Sequence, residues 1–507
     1  MKILSVDKIH EADLYTIRNE PIADIDLMER AANACFSWLI TNIPKNKKFR
    51  IFCGTGNNGG DGLAVARLMA TNGSSTEVFL TGSPEKFSPG YRINYDRLSE
   101  MTRVKCTVIK DKGPLPVFNP EEDIIIDALF GSGLSRPVAG LPARVIRHIN
   151  DQHSLVVSID VPSGLFCDET VAGSPDPVII RADHTLTFSP PKLAFFFPEN
   201  DRYVGNWHLL DIGILQDYID QAETRYHYIT RHDCKKILKR RKKFSHKGNF
   251  GHAYLICGST GKMGAAVLAA KACLRSGPGL VTAHIPRSGN TTLQTAAPEA
   301  MLFFDAEENF LSGIPDISAF SSIAIGPGIG QADATRRALK YLIQNATIPV
   351  IFDADAINIL GENKTWIPFV PKGSIFTPHP KEFERLAGKS TDDFDRNKIQ
   401  REFSIKYGVY VVLKGAHTAI TAPDGNCYFN TTGNPGMATG GSGDVLTGIL
   451  AGIKAQGYSS LETCLLGVYL HGLAGDIAAE ERGQEALVAG TIIQHLGNAF
   501  LTLYGEL

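Results

Sequence analysis

The feature that most constrains the fold of this chain is a repeated unit: a short apolar run ends in a glycine-rich or acidic turn, and a helical pattern follows. It occurs at residues 50–62, 124–133, 156–164, 254–264, 323–330 and 350–356. Continuously apolar strands that alternate with helices are typical of parallel sheets covered on both faces. The pattern therefore predicts an α/β fold, with ligands bound beyond the carboxyl ends of the strands.

This repeated pattern is interrupted once, by a polar stretch at residues 216–249. The stretch has no glycine before Gly248 and contains the basic run Lys235–Lys243. Because a chain of 507 residues exceeds the usual size of one domain, we predict two domains with a boundary near residues 216–228. The basic run is interpreted as a solvated connector, since no aromatic interleaving suggests nucleic-acid binding.

Composition excludes several partner classes. The 51 basic and 53 acidic residues nearly cancel, so no global field attracts nucleic acid or an anionic membrane. No apolar run is long enough to span a bilayer. Acidic residues interrupt the first fifteen positions, which is not the pattern of a signal peptide. The nine cysteines form no CxxC pair, which is typical of reduced thiols. We therefore expect a cytoplasmic protein.

The N-terminal half carries a specific glycine-rich string, GTGNNGGDG, at Gly54–Gly62. Glycines allow the backbone to approach a ligand closely, and amides at a helix N-terminus can bind phosphate. Asp127 and Asp160 end two further apolar runs, and Ser163 follows closely. With Asn58, these oxygen-bearing side chains can hold a cation. The alternative is that each carboxylate caps a helix or ties a loop, but three such motifs together favour a site.

The C-terminal half contains the most specific motif, NPGMATGGSGD at residues 434–444, followed by an apolar helical face. A glycine-rich turn at a helix N-terminus can bind phosphate, and Asp444 in the same turn can accept a proton from a hydroxyl that attacks a phosphoryl group. Lys414 and Thr418 lie in a strand–turn–strand pattern and could contact a nucleotide. His379 lies between two prolines, where a structural role and a functional role are equally plausible.

The N-terminal motifs GTGNNGGDGLAVAR, DALFGSGLSRPV, SIDVPSGL, TFSPPK and DIGI resemble those of the NAD(P)H-hydrate epimerase family, the YjeF N-terminal domain. The resemblance covers residues 1–216 and implies a Rossmann-like fold, a potassium ion held by Asn58, Asp127 and Ser163, and Asp160 at the reacting centre. Phe166, Cys167 and Thr170 depart from the family pattern. The resemblance implies substrate contacts, besides Asp160, from Asn57, Asn58, Gly59, Gly60, Asp61, Gly131, Ser132, Gly133, Leu134, Ser135, Arg136 and Pro137.

The C-terminal motifs KGNFGHAYLICGSTGKMGAA, AIGPGIG, FDADAINIL, TPHPKEFERL, VVLKGAHTAI and GNPGMATGGSGDVLTGILAGIKAQG resemble the ADP/ATP-dependent NAD(P)H-hydrate dehydratase family. The resemblance covers residues 226–507 and implies a ribokinase-like fold that uses Mg²⁺. It implies hydrate contacts from Ala265, Gly328, His379 and Asp444, and nucleotide contacts from Lys414, Gly415, Ala416, His417, Thr418 and Gly443.

Together the resemblances imply two three-layer α/β/α domains that repair NADHX and NADPHX, the hydrates of NADH and NADPH. The first would interconvert the R and S epimers, and the second would dehydrate the S epimer at the expense of ADP or ATP, with ADP slightly favoured. They imply a homo-oligomer without nucleic-acid or membrane partners. Two alternatives stay open: a ribokinase-like vitamin or sugar kinase with an accessory ligand-binding domain, and an N-terminal domain that binds without turnover.

Overall fold

The computed structural model describes residues 1–170 and 177–505. It divides into two compact units, Lys2–Thr224 and Arg225–Leu507 with Met1. The division falls inside the polar stretch at residues 216–249. The predicted domain ranges also include residues 171–176 and 506–507, which lie outside the described residues. Among the described residues, no helix has the length and apolar character needed to cross a membrane.

The N-terminal unit is built on a parallel sheet of seven strands in the order β4-β3-β2-β5-β6-β7-β8. The strands of this sheet are β2 (Lys48–Cys53), β3 (Ser75–Leu80), β4 (Lys105–Val108), β5 (Asp123–Ala128), β6 (Val156–Ile159), β7 (His184–Phe188) and β8 (Asn206–Leu210), and the short strand β1 (Lys2–Ile3) is not part of it. Its helices are α1 (Val6–Asn19), α2 (Asp24–Asn42), α3 (Asn57–Thr71), α4 (Pro89–Ser99), α5 (Gly140–Asn150), α6 (Asp201–Val204) and α7 (Gln216–Gln221).

Helices cover both faces of this sheet, as the continuously apolar strands predict. Successive side chains of a strand point to opposite faces. In β5, Ile124 and Ile126 belong to a core with residues of α2, α3 and α4. Ile125 belongs to a second core with residues of α5. The prediction of a three-layer α/β/α domain is confirmed for this unit.

The strands of the C-terminal unit lie in the order β9-β18-β17-β16-β15-β14-β13-β10-β11-β12. They are β9 (Tyr226–Tyr228), β10 (His252–Ile256), β11 (Leu280–Ile285), β12 (Met301–Phe304), β13 (Ser322–Ile325), β14 (Val350–Phe352), β15 (Ile375–Phe376), β16 (Tyr410–Leu413), β17 (Ala419–Thr421) and β18 (Cys427–Phe429). The run from β12 to β16 is parallel, whereas β16, β17 and β18 are antiparallel neighbours.

Helices cover both faces of this sheet as well. They are α8 (Arg231–Ile237), α9 (Met263–Arg275), α10 (Asn290–Ala296), α11 (Asp333–Asn345), α12 (Ala354–Glu362), α13 (Pro380–Ala387), α14 (Asp393–Tyr407), α15 (Ser442–Ala455), α16 (Ser460–Arg482) and α17 (Ala489–Tyr504). In β10, Ala253 and Leu255 pack with α9 and α15–α17. Tyr254 and Ile256 pack with α11–α14. The three-layer prediction is therefore confirmed here too.

A close contact between α9 and α15 brings the GGSGD turn to the edge of the sheet. A Cβ on Gly448 would lie 2.2 Å from the carbonyl oxygen of Ala269, so only glycine allows this approach of the two helices. The alanine-rich composition of α9 serves the same contact, because small side chains let helix backbones come close. The first turn of α15 is thereby held beside the carboxyl ends of the central strands.

The basic run Lys235–Lys243 has more structure than a connector. Its first residues belong to α8. The Lys239 ammonium lies 4.2 Å from the ring centre of Tyr458, and the Arg241 guanidinium lies 4.0 Å from that of Phe250. The charged groups themselves lie over the aromatic rings, as in cation–π pairs, a cause of order that the charge pattern alone did not indicate.

Candidate active sites

The glycine-rich string of the N-terminal unit forms a tight turn between β2 and α3. A Cβ on Gly54 would lie 1.8 Å from the carbonyl oxygen of Leu129, and one on Gly59 would lie 2.1 Å from that of Gly54. Side chains are therefore excluded at both positions. Because β2, β5 and β6 are neighbours in the sheet, the turns that follow them meet at one edge, as predicted.

Asp160 lies at this edge directly after β6, with a left-handed φ of 65°. Its Oδ1 is 2.6 Å from the Nζ of Lys192, and its Oδ2 accepts a hydrogen bond of 2.9 Å from the backbone amide of Ser132. Burial raises the pKa of Asp160, but Lys192 and the Ser132 amide outweigh burial, so that the pKa falls below its ordinary value. Asp160 is thus a buried but ionised carboxylate.

Lys192 is the functional candidate that the sequence analysis missed. Its side chain is only 1% exposed, and its Nζ also donates to the carbonyl oxygen of Phe188 at 2.9 Å. A buried lysine is rare unless it is paired, so its pairing with Asp160 indicates a built site. The motif TFSPPK contained the signal, because Lys192 follows β7, the strand next to β6.

Asp127 has a structural role within this site. Its two carboxylate oxygens accept hydrogen bonds from the hydroxyls of Ser158 and Ser163 and from the amides of Leu129 and Ser163, at 2.5 to 3.2 Å. Burial raises its pKa although these bonds oppose the shift. The hydrogen bonds tie the ends of β5 and β6 together, as the loop-tying alternative predicted, and place its charge at the sheet edge.

Asn58 has buried polar atoms that are free to bind a ligand. Its side chain is buried, and neither its amide oxygen nor its amide nitrogen has a hydrogen-bond partner among the described residues. A Cβ built on Gly131 would lie 3.3 Å from the Cβ of Asn58 and 3.0 Å from Oδ2 of Asp160, so these residues meet around Gly131. A free buried amide oxygen fits a cation such as potassium.

The two loops predicted to contact the epimerase substrate, residues 57–61 and 131–137, differ in exposure. Asn57 is exposed at the start of α3, whereas Gly59, Gly60 and Asp61 are buried. Burial raises the pKa of Asp61 well above its ordinary value, and the nearby Asp160 adds to the shift. Asp61 is therefore more easily neutralised, which weakens its repulsion of a phosphate. The other loop is largely accessible, through Gly131, Ser132, Gly133, Leu134, Ser135, Arg136 and Pro137.

In the C-terminal unit, most predicted nucleotide contacts line one cavity of about 640 Å³. It has apolar walls from Leu446 and Val468 and polar groups from Asn430, Thr432 and Asn434. The predicted residues on its wall are His379, Lys414, Gly415, Ala416, Thr418 and Gly443. Mostly apolar walls with a few polar groups are typical of small-molecule sites.

Two histidines of this region differ from expectation. His417 does not line the cavity; its Nδ1 lies 3.2 Å from the carbonyl oxygen of Asn430, so the ring supports the turn. His471, which the sequence analysis missed, lines the cavity, and its Nε2 lies 3.3 Å from the hydroxyl of Ser442. Burial lowers the pKa of His471 to about 4, and the ring is neutral at pH 7.

His379 has the structural role that the sequence left open, and it also lies on the cavity wall. It caps α13, since the amide of Glu382 donates to its Nδ1 at 3.3 Å while its own amide donates to the Glu382 carboxylate at 2.8 Å. The same side chain is exposed and lines the cavity. The cap fixes the ring at a position where it can also contact a ligand.

Asp444 lies in the first turn of α15, adjacent to Gly443 on the cavity wall. Burial and the like charges of Asp353 and Asp355 raise its pKa to about 6, although Lys414 opposes the shift. A carboxylate with such a pKa is mostly ionised at pH 7 yet a better proton acceptor than an ordinary one. The predicted role of Asp444 as a base is chemically consistent with this environment.

The other two predicted hydrate contacts, Ala265 and Gly328, lie side by side. A Cβ on Gly328 would come 3.1 Å from the Cβ of Ala265. Nearby, the carboxylate of Asp355 accepts a 2.8 Å hydrogen bond from the amide of Gly330 and lies 3.1 Å from the ammonium of Lys262. The small residue Ala265 at the start of α9 therefore lies next to Gly328 and close to the polar groups of Asp355 and Lys262.

Comparison with known proteins places both units in described families. Residues 24–194 match the YjeF-related protein N-terminus family, and residues 253–497 match the NAD(P)H-hydrate dehydratase family. The bifunctional NAD(P)H-hydrate repair enzyme of Moorella thermoacetica is 38% identical, over 89% of this chain and 87% of its own length. Its counterpart in Thermofilum pendens is 34% identical, over 99% and 97%.

Among solved structures, the ADP/ATP-dependent NAD(P)H-hydrate dehydratase of Bacillus subtilis, co-crystallised with ATP and Mg²⁺, is 28% identical to the part it matches. It covers 55% of this chain and 98% of its own length, with a TM-score of 0.48. The curated relatives match across both units, which does not support a vitamin or sugar kinase with an accessory domain. The chain belongs to the family of bifunctional NAD(P)H-hydrate repair enzymes.

Proposed function

We propose that the two sites act in succession on hydrated nicotinamide cofactors. Residues 1–216 interconvert the R and S epimers of NADHX and NADPHX, and residues 226–507 dehydrate the S epimer with ADP or ATP. The observation that carries this proposal is the contrast between two acids: Asp160 is ionised and paired with Lys192, whereas Asp444 has a pKa of about 6 beside the nucleotide cavity.

The epimerase step needs one proton delivered and one removed. The C6–O bond of the hydrate breaks as the hydroxyl leaves as water, and the lone pair of the ring nitrogen forms a C=N bond. Water then adds to C6 from the opposite face and loses a proton. The Lys192–Asp160 pair can supply the first proton and accept the second, so the pair ends in its starting state.

A potassium ion near Asn58 supports this step in our proposal. The unpartnered amide oxygen of Asn58 is its best direct ligand. The carboxylate of Asp127 already accepts four hydrogen bonds, and it contributes mainly negative charge. Ser163 completes the predicted set. The ion supplies positive charge that favours the ionised form of Asp160 and attracts the substrate phosphates.

The dehydratase step uses phosphate as a leaving group, because a hydroxyl that is not protonated leaves poorly as hydroxide. Asp444 accepts the proton of the C6 hydroxyl as its oxygen attacks the terminal phosphoryl group of the nucleotide. A P–O bond forms to C6 oxygen, and the bond to the departing AMP or ADP breaks. Phosphate then leaves C6, the C5 proton goes to solvent, and the C5=C6 double bond of NADH or NADPH is restored.

Magnesium accompanies the nucleotide in this proposal. Within residues 1–170 and 177–505, no group of three or more His, Cys, Asp or Glu side chains is placed to hold a metal ion. Mg²⁺ is usually bound through nucleotide phosphates, waters and one or two carboxylates, and such a site needs no protein cage. The ion would neutralise charge on the phosphates.

Analysis of the reaction products distinguishes the proposed dehydratase from a kinase. Purified protein, Mg²⁺ and ADP or ATP are incubated with the S epimer of NADHX. We expect equal amounts of NADH and inorganic phosphate. Asp444→Asn should form both products much more slowly. Asp316→Asn, which removes a charge from an exposed loop of the same unit, is the control and should form them at the normal rate. A stable phosphorylated product without nicotinamide absorbance would contradict dehydration.

Location and assembly belong to the same proposal. The composition of the chain favours a cytoplasmic enzyme, and the family resemblance implies that it forms a homo-oligomer. Light scattering of the purified protein measures its mass in solution. A mass of 55.0 kDa, that of one chain, would contradict the oligomer without affecting the proposed activity.

A further inference from the structure

The motif FDADA was singled out in the sequence, but the proposed reaction leaves its two aspartates unused. Asp353 follows β14 directly and is 1% exposed. The next residue, Ala354, has a left-handed φ of 44°, which costs free energy for any residue but glycine. A Cβ on Gly326 would lie 1.9 Å from the carbonyl oxygen of Asp353. Neighbouring backbone therefore holds this turn in a strained shape, as occurs at functional sites.

The strained turn directs the two carboxylates to different places. Asp353 lies 3.0 Å from the ammonium of Lys414 on the wall of the nucleotide cavity. Asp355 contacts Lys262 and the amide of Gly330, near the predicted hydrate contacts. One turn thus connects the nucleotide side of the site with the hydrate side.

Asp353 is held by donors from three separate elements. Its Oδ1 accepts hydrogen bonds from the hydroxyl of Thr377, after β15, at 2.8 Å and from Lys414, after β16. Its Oδ2 accepts a 2.7 Å bond from the hydroxyl of Thr447 in α15. Buried carboxylates cost much free energy unless they are paired and hydrogen-bonded, and Asp353 meets this condition fully.

The ammonium of Lys414 is thereby fixed next to the phosphate-binding turn. A Cβ on Gly443 would lie 3.4 Å from Nζ of Lys414 and 4.0 Å from Oδ2 of Asp353. Asp353 is the carboxylate that forms a hydrogen-bonded ion pair with this lysine, whereas Glu382 and Asp444 attract it without a direct hydrogen bond. An ammonium in this place can contact the transferred phosphoryl group.

We propose that Asp353 is a positioning residue of the dehydratase site, which holds the Lys414 ammonium against the phosphate-binding turn and faces Asp444 as a second carboxylate. The inference rests on the proposed dehydration by the C-terminal unit. Asp353 does not touch the reacting atoms; it acts through Lys414 and through its charge.

The charged and titratable groups that face Asp444 come from four elements. Asp353 and Asp355 raise its pKa, and Lys414 lowers it. The thiol of Cys257, at the end of β10, also faces Asp444, and burial keeps that thiol protonated by raising its pKa to about 12. Asp353 is the largest charged contributor, so removing its charge should lower the pKa of Asp444.

The experiment compares Asp353→Asn with Thr447→Val and Thr377→Val. The amide of asparagine keeps the shape and can still bond both hydroxyls, so only the charge is lost. Each valine removes one hydrogen bond to Asp353 but no charge. We expect the acidic limb of single-turnover dehydration to move down by about one pH unit in Asp353→Asn and to stay in place in the valine variants.

Nucleotide binding gives a second measurement that does not depend on turnover. In a double-mutant cycle with Lys414→Met, Asp353→Asn should weaken ADP binding several-fold when Lys414 is present and hardly at all when it is absent. If Asp353→Asn alone does not fold, Asp353→Glu replaces it in the cycle, because the longer side chain keeps the charge but displaces the Lys414 ammonium, and the same loss of coupling to Lys414 is expected.

Two outcomes overturn different claims. Superimposable acidic limbs together with additive effects on ADP binding would overturn the role of Asp353. Absence of dehydration by the unsubstituted protein would contradict the proposed function, while coupling in ADP binding would still support the positioning of Lys414.

Discussion

The two candidate sites contain the same kinds of side chain in opposite arrangements. In the N-terminal unit, Lys192 pairs with Asp160, the proposed acid–base group, and the pKa of Asp160 falls. In the C-terminal unit, Lys414 pairs with Asp353, and burial together with the like charges of Asp353 and Asp355 raises the pKa of Asp444, the proposed base, to about 6. The partner of the lysine therefore decides which acid is a stable carboxylate and which is a stronger base.

The largest expected effect is on dehydration. Asp444→Asn removes the proton acceptor, and loss of a general base typically lowers the rate by about 10²–10⁴-fold. ADP binding should change little, because backbone amides of the turn bind the phosphates. Single-turnover dehydration and calorimetric ADP binding are measured on the same variant. Near-normal turnover would remove Asp444 from the mechanism, whereas loss of ADP binding would make it a phosphate or metal ligand.

The matching substitution in the other site is Asp160→Asn. We expect interconversion of the epimers, followed by chiral chromatography without nucleotide, to fall by about 10²–10⁴-fold. Dehydration of the S epimer should be unchanged. Asp151→Asn, an exposed position of the same unit, controls for the change of charge. Normal interconversion by Asp160→Asn would show that another group transfers the proton.

Removal of each cation should separate the sites further. EDTA should stop dehydration, since Mg²⁺ accompanies the nucleotide, and leave epimerisation intact. Replacement of potassium by a bulky organic cation, or Asn58→Ala, should slow epimerisation on the order of tenfold. Rates with and without potassium are compared in both proteins. If Asn58→Ala still responds fully to potassium, Asn58 does not bind the ion.

The acids should also give the two activities different pH dependence. Asp444 must be ionised to accept a proton, and because its pKa is raised to about 6, dehydration should decline as pH falls through 6. Asp160 has a lowered pKa and stays ionised there. At pH 5 we expect about a tenth of maximal dehydration but full epimerisation, after subtraction of the uncatalysed rate. A shared acidic limb would contradict the contrast.

Local sequence motifs made the two acids Asp160 and Asp444 predictable. Asp160 and Asp444 each follow a recognisable string, and the parallel sheets that bring such strings together follow from continuously apolar strands. The partners were not predictable in this way. Asp353 contacts Lys414 across 61 positions and Thr447 across 94, and Lys192 becomes a candidate only through its ion pair with Asp160. Such relations depend on tertiary packing, which local patterns do not encode.

The measurement that tests the account most directly is complete conversion of an equilibrated mixture of R and S NADHX by one purified chain. With Mg²⁺ and ADP or ATP, the account predicts that all of the mixture becomes NADH, in a fast phase from the S epimer and a second phase set by epimerisation. Asp160→Asn should reduce that second phase to the uncatalysed rate. Conversion of the S fraction alone by the unsubstituted protein, or of neither epimer, would contradict a bifunctional repair enzyme.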